Sequence, residues 1–534
     1  MFIRLHMITS DAANAERFDG IRRIQAWTKW NPTKDDLPLE DGPENPRVKI
    51  IDMDPETGEI IPGAKLVTPT RNKYSYFDFG KKGNYNWAGV RQVSLFTTVM
   101  RVLDLFENKD ALGRRLKWAF GDQLTVYARA GKKANASYQR KTGSLQFFYF
   151  TPENKPDTTI HLADSPDIVA HEAGHAVLDA IAPDLYTSRN PQTRAIHEAV
   201  ADLTATLFAF EMDDLGSRIL ESTDGRLDTA NEFGWIGETF GTELREQTGD
   251  TYLRTLYNEN SIDPGSPNYI NSKEAHHIST VMSGAVFAGF IDEFERRKRI
   301  RAERGKITTF SASGKTLWEV GGFVRRALFR GLDYLPPGDV NFIDLARAMV
   351  ATDTISFPKA KDSNFRQFLI SNCIDRGIGS KPEHLEYQPI IGEDPATRAN
   401  LVKLATDLEY AANFAEENRD FLRLPTTAKF TVTSLFKTQK KDVHSGGIKK
   451  EREEIVLKVR WSENETGRSL WGINRFPVRR GTTLVIDLNT KRTIIRLTNN
   501  PDYASDDGHA EMLASAVRKE ALFHSEASSH AAIM

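Results

Sequence analysis

The sequence predicts an α+β protein with a β-rich N-terminal part, an α-helical middle part and a small α+β module at the C-terminus. Three patterns lead to this prediction. β-branched and aromatic residues alternate with turn residues over 46–165, apolar residues recur at helical spacing over 166–380, and short strand patterns return within 400–534. A chain of 534 residues is also too long for one ordinary core, so we expect several packed units.

The first part opens with residues 1–45, which contain the run WNPTKDDLPLEDGPENP. We predict that they form an extension without a core of its own. Strands and hairpins are expected from VKIIDMDPETGEIIPGAKLV onward. Apolar residues at helical spacing in AGVRQVSLFTTVMRVLDLFEN predict a helix that ends near Asn108, and LTVYARAG and SLQFFYF return to strand character. Sheet therefore predominates in this part.

Helical periodicity then continues from DSPDIVAHEAGHAVLDAIAP through AIHEAVADLTATLFAFEMDDL to DVNFIDLARAMVAT. After residue 400, a helical stretch leads into AKFTVTSLFKT, EEIVLKVRW and TTLVIDLNTKRTIIRLT, which are strand patterns separated by turn residues such as HSGG. We predict a separate module here, followed by a terminal helix that frays into a tail.

Composition excludes several classes of protein. The net charge of −2 gives no overall attraction to nucleic acid or to an anionic membrane. No stretch approaches the roughly 20 apolar residues of a membrane span, and the N-terminus lacks the pattern of a secretion signal. The single cysteine, Cys373, excludes an intramolecular disulfide. We expect a protein that is cytoplasmic or exported without a classical signal.

His171, Glu172 and His175 form an H-E-x-x-H motif inside an apolar, helix-like run. Residues four apart project from one face of a helix, so the two imidazoles can bind one zinc ion. Glu172 lies on the same helical surface, where its carboxylate can take a proton from a water that zinc makes acidic. The motif is short, and the alternative interpretation is a buried helix with two hydrogen-bonded histidines.

A second helix-like segment strengthens the zinc interpretation. Glu198 opens the sequence EAVAD 23 residues after His175, and Asp202 follows one turn later. The run AIHEAVADLTATLFAF is too apolar for an exposed helix face, and buried carboxylates require a metal or a histidine partner. We therefore predict that Glu198 is the third ligand. Asp202, with Asp167 as another candidate, is predicted to orient a zinc-binding imidazole.

These residues resemble a known family. DIVAHEAGHAVLDAIAPDLY followed by AIHEAVADL is similar in order and register to the zinc helix and the third-ligand helix of thermolysin-like peptidases, which are gluzincin metallopeptidases. The likeness covers residues 75–350 and is strongest over 163–206. It implies a two-part peptidase fold with one zinc ion per chain, held by His171, His175 and Glu198.

The resemblance also implies roles for residues outside the zinc motif. Tyr186 falls at the position of an active-site tyrosine, and Arg254 falls where the family has an arginine that binds the substrate's carbonyl. The segment AHHISTVMSGAVF resembles the one that carries a transition-state histidine. His276 fits that spacing best, and the adjacent His277 is the alternative.

Substrate binding by strand addition is a further implication. Asn135 and Ala136, in NASY, resemble the edge-strand element with which the family pairs the backbone of a substrate. Three features depart from the family pattern. The loop between Tyr186 and Glu198 is longer, only Asp167 and Glu238 match carboxylates that hold structural calcium in secreted relatives, and no long pro-segment precedes the peptidase part. Calcium is therefore weakly supported.

The function implied by the resemblance is a zinc-dependent endopeptidase that acts on proteins or peptides. Glu172 would move the proton, and Tyr186 and His276 would stabilise the oxyanion. An aminopeptidase is less favoured because no G-x-M-E-N type anchor for a free N-terminus is found. The other alternative is a non-catalytic zinc-binding scaffold with the same fold. The sequence specifies neither the oligomeric state nor the physiological substrate.

Overall fold

The part of the chain before residue 165 contains two four-stranded sheets that both pack against one long helix. The computed structural model describes residues 2–10, 23–27, 30, 32–69, 74–81, 84–153, 155–188, 190–237, 252–272, 274–358, 363–388, 390–443, 449–469 and 472–499. The long helix, α1, spans Trp87–Glu107, as the periodicity predicts, and Asn86 caps its first turn. The strands here are β1 Phe2–Ser10, β2 Arg23–Trp27, β3 Val48–Ile51, β4 Lys65–Val67, β5 Tyr74–Asp78, β6 Gly80–Lys81, β7 Asn84–Tyr85, β8 Leu124–Tyr127, β9 Ala136–Gln139, β10 Ser144–Phe147, β11 Tyr149–Phe150 and β12 Ile160–His161.

Within the predicted N-terminal extension, Ile3, Leu5, Met7 and Ile8 pack into the main hydrophobic core of the protein. β1 pairs with β5 in parallel and with β2 in antiparallel orientation. The side chains of Ile3, Leu5 and Met7 are at most 1% exposed. The partner strand β5 lies far along the chain, and a short strand cannot be recognised from local pattern alone when a distant segment supplies its pairing.

The second sheet places a free strand edge beside the helical part. Its strand order is β3-β8-β10-β9, so β9 forms hydrogen bonds with β10 on one side and lies at the edge of the sheet. β9 also contacts the helix that begins at Pro166. The Asn135 and Ala136 element predicted to lie on an edge strand is therefore at the boundary between the two parts.

The helical part places the H-E-x-x-H helix against the helix that carries Glu198. Its helices are α2 Pro166–Ile181, α3 Pro183–Thr187, α4 Pro191–Phe210, α5 Asp213–Ser222, α6 Ala275–Gly305, α7 Thr309–Tyr334, α8 Phe342–Ser356 and α9 Phe365–Asp375, with short strands β13 Trp235–Ile236 and β14 Arg254–Thr255. α2 packs on α4, and α4 packs on α6. Gly174 permits the first contact, because a Cβ there would lie 3.2 Å from Thr204 Cβ.

The C-terminal strands form one antiparallel sheet whose two faces are both covered. Small helices pack on one face, where Ile455, Leu457 and Val459 are buried. Val456 and Val485 point the other way and join the main hydrophobic core. The three consecutive apolar residues IVL within EEIVLKVRW reflect this double coverage. The elements are α10 Leu401–Leu404, α11 Leu408–Glu417, α12 Arg419–Leu422, β15 Phe430–Val443, β16 Lys449–Ser469, β17 Gly472–Asp487 and β18 Arg492–Thr498.

Buried ion pairs join this sheet to α7. Lys440 Nζ lies 2.7 Å from Asp333 Oδ2, and both side chains are fully buried. Arg114 Nη2 contacts the other oxygen of Asp333 at 2.7 Å. Tyr334 donates a hydrogen bond to the buried Glu454 carboxylate at 2.8 Å. The C-terminal sheet thus shares both apolar and ionic contacts with the helical part.

The predicted α+β class agrees with this architecture, which is mixed α+β with a helical region after the β-rich part. The division at residues 45, 165 and 400 stays a prediction. Among the described residues, no helix combines the length and apolar character that a membrane crossing requires.

Candidate metal centre

The H-E-x-x-H motif lies on α2, whose start is encoded locally. Ser165 occupies the N-cap position and Pro166 is the first helical residue, where its missing N–H leaves no acceptor unsatisfied. The helix that follows is almost wholly buried. His171 and His175 lie one turn apart on the face that packs against α4. Because this face is buried, the residues around the two histidines are apolar.

Three ligand atoms from α2 and α4 converge on one point. His171 Nε2 and His175 Nε2 are 3.1 Å apart, and Glu198 Oε2 lies 3.7 Å from the first and 3.5 Å from the second. Ligands held at about 2.0–2.1 Å around a tetrahedral zinc ion are about 3.3 Å apart. The spacing therefore fits one such ion. Among the described residues, this is the only group of His, Cys, Asp or Glu side chains that converges in this way.

The surroundings of the Glu198 carboxylate also fit a bound cation. Burial raises its pKa, but the His175 and His276 imidazoles outweigh burial and hold the pKa of Glu198 well below its usual value. Within the described part of the chain, no donor forms a well-aligned hydrogen bond to the buried Oε2 atom. A buried anionic oxygen directed between two imidazole nitrogens is a suitable ligand for zinc.

Asp202 connects His171 to Arg254. His171 Nδ1 lies 2.9 Å from Asp202 Oδ1, and Arg254 Nη2 donates to the same oxygen at 2.7 Å. Burial raises the pKa of Asp202, but Arg254 and His171 outweigh burial and lower it to about 2. The ionised carboxylate orients the imidazole so that Nε2 faces Glu198. This geometry brings Arg254 to the edge of the site, and the role of Asp202 toward a bound metal stays a prediction.

Asp167, the other predicted orienting carboxylate, accepts hydrogen bonds at the start of α2, and its role toward an imidazole stays a prediction. Its Oδ1 accepts a hydrogen bond from the Ser165 hydroxyl at 2.6 Å, and its Oδ2 accepts one from Gly237 N at 3.0 Å. It therefore stabilises the start of α2 and the turn at Gly237. Glu238, which matches a carboxylate that holds calcium in secreted relatives, lies outside the described residues. Calcium binding therefore stays weakly supported.

His197 is the partner of the second imidazole, and sequence reasoning missed it. His175 Nδ1 and His197 Nδ1 are 2.6 Å apart, and the two rings are nearly parallel, with centroids 4.8 Å apart. One nitrogen must donate and the other accept. His197 immediately precedes Glu198 on a buried helix. A histidine next to a predicted ligand in an apolar run was the available signal.

Glu172 lies beside the ligand cluster without belonging to it. Its side chain is 3% exposed, and it follows His171 directly on α2. Burial lowers the pKa of His175, but the charges of Glu198 and then of Glu172 outweigh burial and raise it. The carboxylate is thus near enough to act electrostatically on a ligand.

Of the two adjacent histidines on α6, His276 reaches the cluster. His276 Nε2 lies 3.2 Å from Glu198 Oε2, whereas His277 is exposed. Glu274, which sequence reasoning did not select, caps α6 and contacts His276 Nδ1 at 2.6 Å. Burial lowers the pKa of His276, but its contacts with Glu198 and Glu274 raise it to about 10. His276 is therefore a cationic donor at neutral pH.

Tyr186 packs beside the cluster through His197. The two rings lie edge to face with centroids 5.9 Å apart. Tyr138, on β9, contacts the other side of Tyr186, with ring centroids 5.8 Å apart. Tyr138 in turn donates a hydrogen bond at 2.6 Å to Asp179, a fully buried carboxylate on α2 that the sequence did not single out. The edge strand, α2 and the tyrosine are thus linked by direct contacts.

The predicted substrate-binding pair lies where β9 begins. Asn135 and Ala136 are 6% and 1% exposed. Asn135 Oδ1 is buried, and no donor in the described ranges bonds to it. Buried amide oxygens without a partner are uncommon in native structures.

No protein-family model matches this chain, and no curated protein matches its sequence. The site must therefore be interpreted from its own geometry and chemistry.

Proposed function

We propose that this protein is a zinc-dependent endopeptidase of the thermolysin-like kind. The observation that carries the proposal is the convergence of His171 Nε2, His175 Nε2 and Glu198 Oε2 at separations of 3.1–3.7 Å. The two-helix arrangement and the order of the motifs along the chain are also what the family resemblance implies. Zinc held by these residues would supply Lewis-acid chemistry, which makes water acidic and polarises a carbonyl group.

The chain's own residues would carry the proton and stabilise charge. Glu172 would accept a proton from the attacking water and pass it to the leaving amine. His276, cationic at neutral pH, and Tyr186 would donate hydrogen bonds to the developing oxyanion. Arg254 is held by Asp202 with its guanidinium at the site, where it would contact a carbonyl oxygen of the substrate.

The strand edge at β9 supports an endopeptidase rather than an enzyme that requires a free terminus. An extended substrate can add to β9, because β9 is the edge strand of its sheet. Recognition of backbone groups alone does not require a chain end. The preferred substrate is therefore an unfolded or extended segment of a protein.

The test measures zinc content together with cleavage of casein, an unstructured protein. Wild type is compared with Glu172→Gln, with a chelator-treated sample and with the same sample after zinc is returned. Glu221→Gln is the matched control, because Glu221 is exposed on α5. We expect one zinc per chain in every untreated variant, and loss of cleavage in Glu172→Gln and in the stripped protein alone. A chain without zinc, or cleavage that survives Glu172→Gln, would overturn the proposal.

A further inference from the structure

Tyr186 lies on the short helix α3, and one set of contacts with this helix comes from the β-rich part of the chain. Arg140, which follows β9, donates a hydrogen bond from Nη2 to the Pro183 carbonyl at 3.0 Å. Its guanidinium also lies over the Tyr186 ring, 4.4 Å from the ring centroid. α3 has only five residues. A single helical turn does not persist in water by itself, so contacts with the rest of the protein determine where α3 lies.

The second set of contacts comes from the C-terminal sheet. Arg479, on β17, donates to the Thr187 hydroxyl at 2.9 Å and to the Asp184 carbonyl at 3.2 Å. Its Nη1 atom also lies 3.4 Å from the Asp184 carboxylate. Arg460, on β16, donates to that same carboxylate. One guanidinium therefore binds both the backbone and two side chains of α3.

Asp339 holds Arg479 in this position. Asp339 Oδ1 accepts hydrogen bonds from Arg479 Nη2 at 2.7 Å and from the Ser188 hydroxyl at 2.6 Å. Asp339 Oδ2 accepts one from the backbone N–H of Arg479 at 2.9 Å. Burial raises the pKa of Asp339, but the bonds from Arg479 and Ser188 outweigh burial and lower it. The ionised carboxylate thus joins β17 to both the loop before α8 and the residue after α3.

The loop and β17 also approach each other too closely for side chains at two positions. A Cβ at Gly338 or at Gly481 would collide with backbone atoms of Arg479 or Pro337. Gly338 N donates to Asp184 Oδ2 at 2.9 Å. The backbone of the C-terminal sheet, the loop and α3 therefore form one continuous set of hydrogen bonds.

From these contacts we propose that Arg479 is a positioning residue for Tyr186, so that the C-terminal sheet completes the active site rather than standing apart from it. The inference rests on the proposed peptidase function. Arg479 touches no ligand, and its effect passes through α3 to the Tyr186 ring, which packs on His197 next to the ligand cluster. Because Arg479 acts through Tyr186, substitution of Arg479 cannot lower the rate of cleavage more than removal of the Tyr186 hydroxyl does.

Kinetics of Arg479→Gln, Tyr186→Phe and the double variant test this inference. Tyr186→Phe is expected to lower kcat about 100-fold. Arg479→Gln is expected to lower kcat about tenfold, with KM nearly unchanged, because a displaced donor acts only in the transition state. The double variant should be no slower than Tyr186→Phe alone. Zinc content should stay at the wild-type level in all three.

Arg496→Gln is the matched control, since Arg496 lies on β18 of the same sheet and bonds to the Phe421 carbonyl, away from α3. Arg479→Lys should keep part of the kcat, because one ammonium group retains the charge but cannot reach Asp184, Thr187 and Asp339 together. If Arg479→Gln does not fold, Asp339→Asn is used in its place, because it weakens the contacts of Asp339 that hold Arg479 in position.

Amide hydrogen exchange over 183–188 provides a readout that does not depend on activity. Exchange should be faster in Arg479→Gln than in wild type and unchanged in Arg496→Gln. An active wild type whose kcat and exchange are both unaffected by Arg479→Gln would overturn this inference and leave the peptidase proposal standing. Absence of zinc-dependent cleavage in wild type would overturn the peptidase proposal, and the exchange result would still decide whether Arg479 holds α3.

Discussion

His175 and His197 face each other through their Nδ1 atoms, which are 2.6 Å apart in the buried layer between α2 and α4. Only one of these nitrogens can carry the shared hydrogen. If His175 donates, its Nε2 keeps a free lone pair, and that atom is the one that faces His171 and Glu198. A metal at His175 Nε2 therefore requires the tautomer in which His175 Nδ1 donates and His197 Nδ1 accepts.

Removal of this acceptor should weaken zinc binding. We expect His197→Leu to lower zinc affinity about 10- to 100-fold, as loss of outer partners typically does. His197→Asn should retain most of the affinity, because the Asn Oδ1 atom can accept at the place of the His Nδ1 atom. Competition with a fluorescent zinc chelator measures both. Equal affinities for the Leu and Asn variants would show that the acceptor at residue 197 does not matter.

The two histidines at the start of α6 should differ sharply in their effect on rate. We expect His276→Leu to lower kcat about 100-fold, since it removes a donor to the oxyanion. His277→Leu is the control, because this neighbour is exposed and should leave the rate near that of wild type. Steady-state kinetics on a quenched peptide, with zinc content measured in parallel, separates them. A larger loss for His277→Leu would reverse the assignment.

The buried pair Lys440 and Asp333 should make the C-terminal sheet essential to stability. Lys440→Met leaves Asp333 with an uncompensated part of its charge in a fully buried site, which should destabilise the protein by about 3–5 kcal/mol. Lys65→Met removes an exposed ion pair with Asp41 and should change stability by at most about 1 kcal/mol. Urea denaturation compares the two. Similar unfolding midpoints would mean that the buried pair contributes no more than a surface pair.

Acid should destabilise the protein through His6 on β1. Burial, and then the charge of Arg4, lower the pKa of His6 from 6.5 to about 4, and its Nδ1 has no hydrogen-bond partner among the described residues. Protonation therefore favours the unfolded chain. The contribution of neutral His6 is complete above pH 6.5 and is lost as the pH falls toward 4.

Thermal unfolding of His6→Gln across this pH range tests the point. The melting temperature of wild type should fall more steeply than that of His6→Gln between pH 6.5 and 4. His277→Gln, an exposed substitution, should follow wild type. If the melting temperatures of wild type and His6→Gln fall in parallel as the pH is lowered, His6 does not contribute to acid sensitivity.

The central site could be predicted because its geometry is local. Two histidines four apart must share a helix face, and Glu198 and Asp202 are likewise one turn apart on a helix. His197 was missed because a histidine in an apolar helix is usually a core residue, and only the packing of α2 on α4 shows which ring it meets. The choice between His276 and His277 required the position of α6 relative to α4.

In contrast to the central site, the N-terminal strand β1 could not be predicted from local spacing. Its apolar residues alternate over a short length, but the pairing that buries them comes from β5, which follows much later in the chain. Arg479 is a more distant example, since it contacts Thr187 across 292 residues. No periodicity in the sequence relates these segments.

Local patterns along the chain therefore specify the α+β class, the main helices, the H-E-x-x-H motif and the nearby carboxylate Glu198, because helix periodicity and side-chain spacing act over a few residues. Four other features depend on which distant surfaces pack together. They are the contact of His175 with His197, the contact of His276 with Glu198, the hydrogen bonds of Asp167 and the contacts of Arg479 with α3. Hydrophobic burial and buried ion pairs bring those surfaces into contact, and both act between residues far apart in sequence.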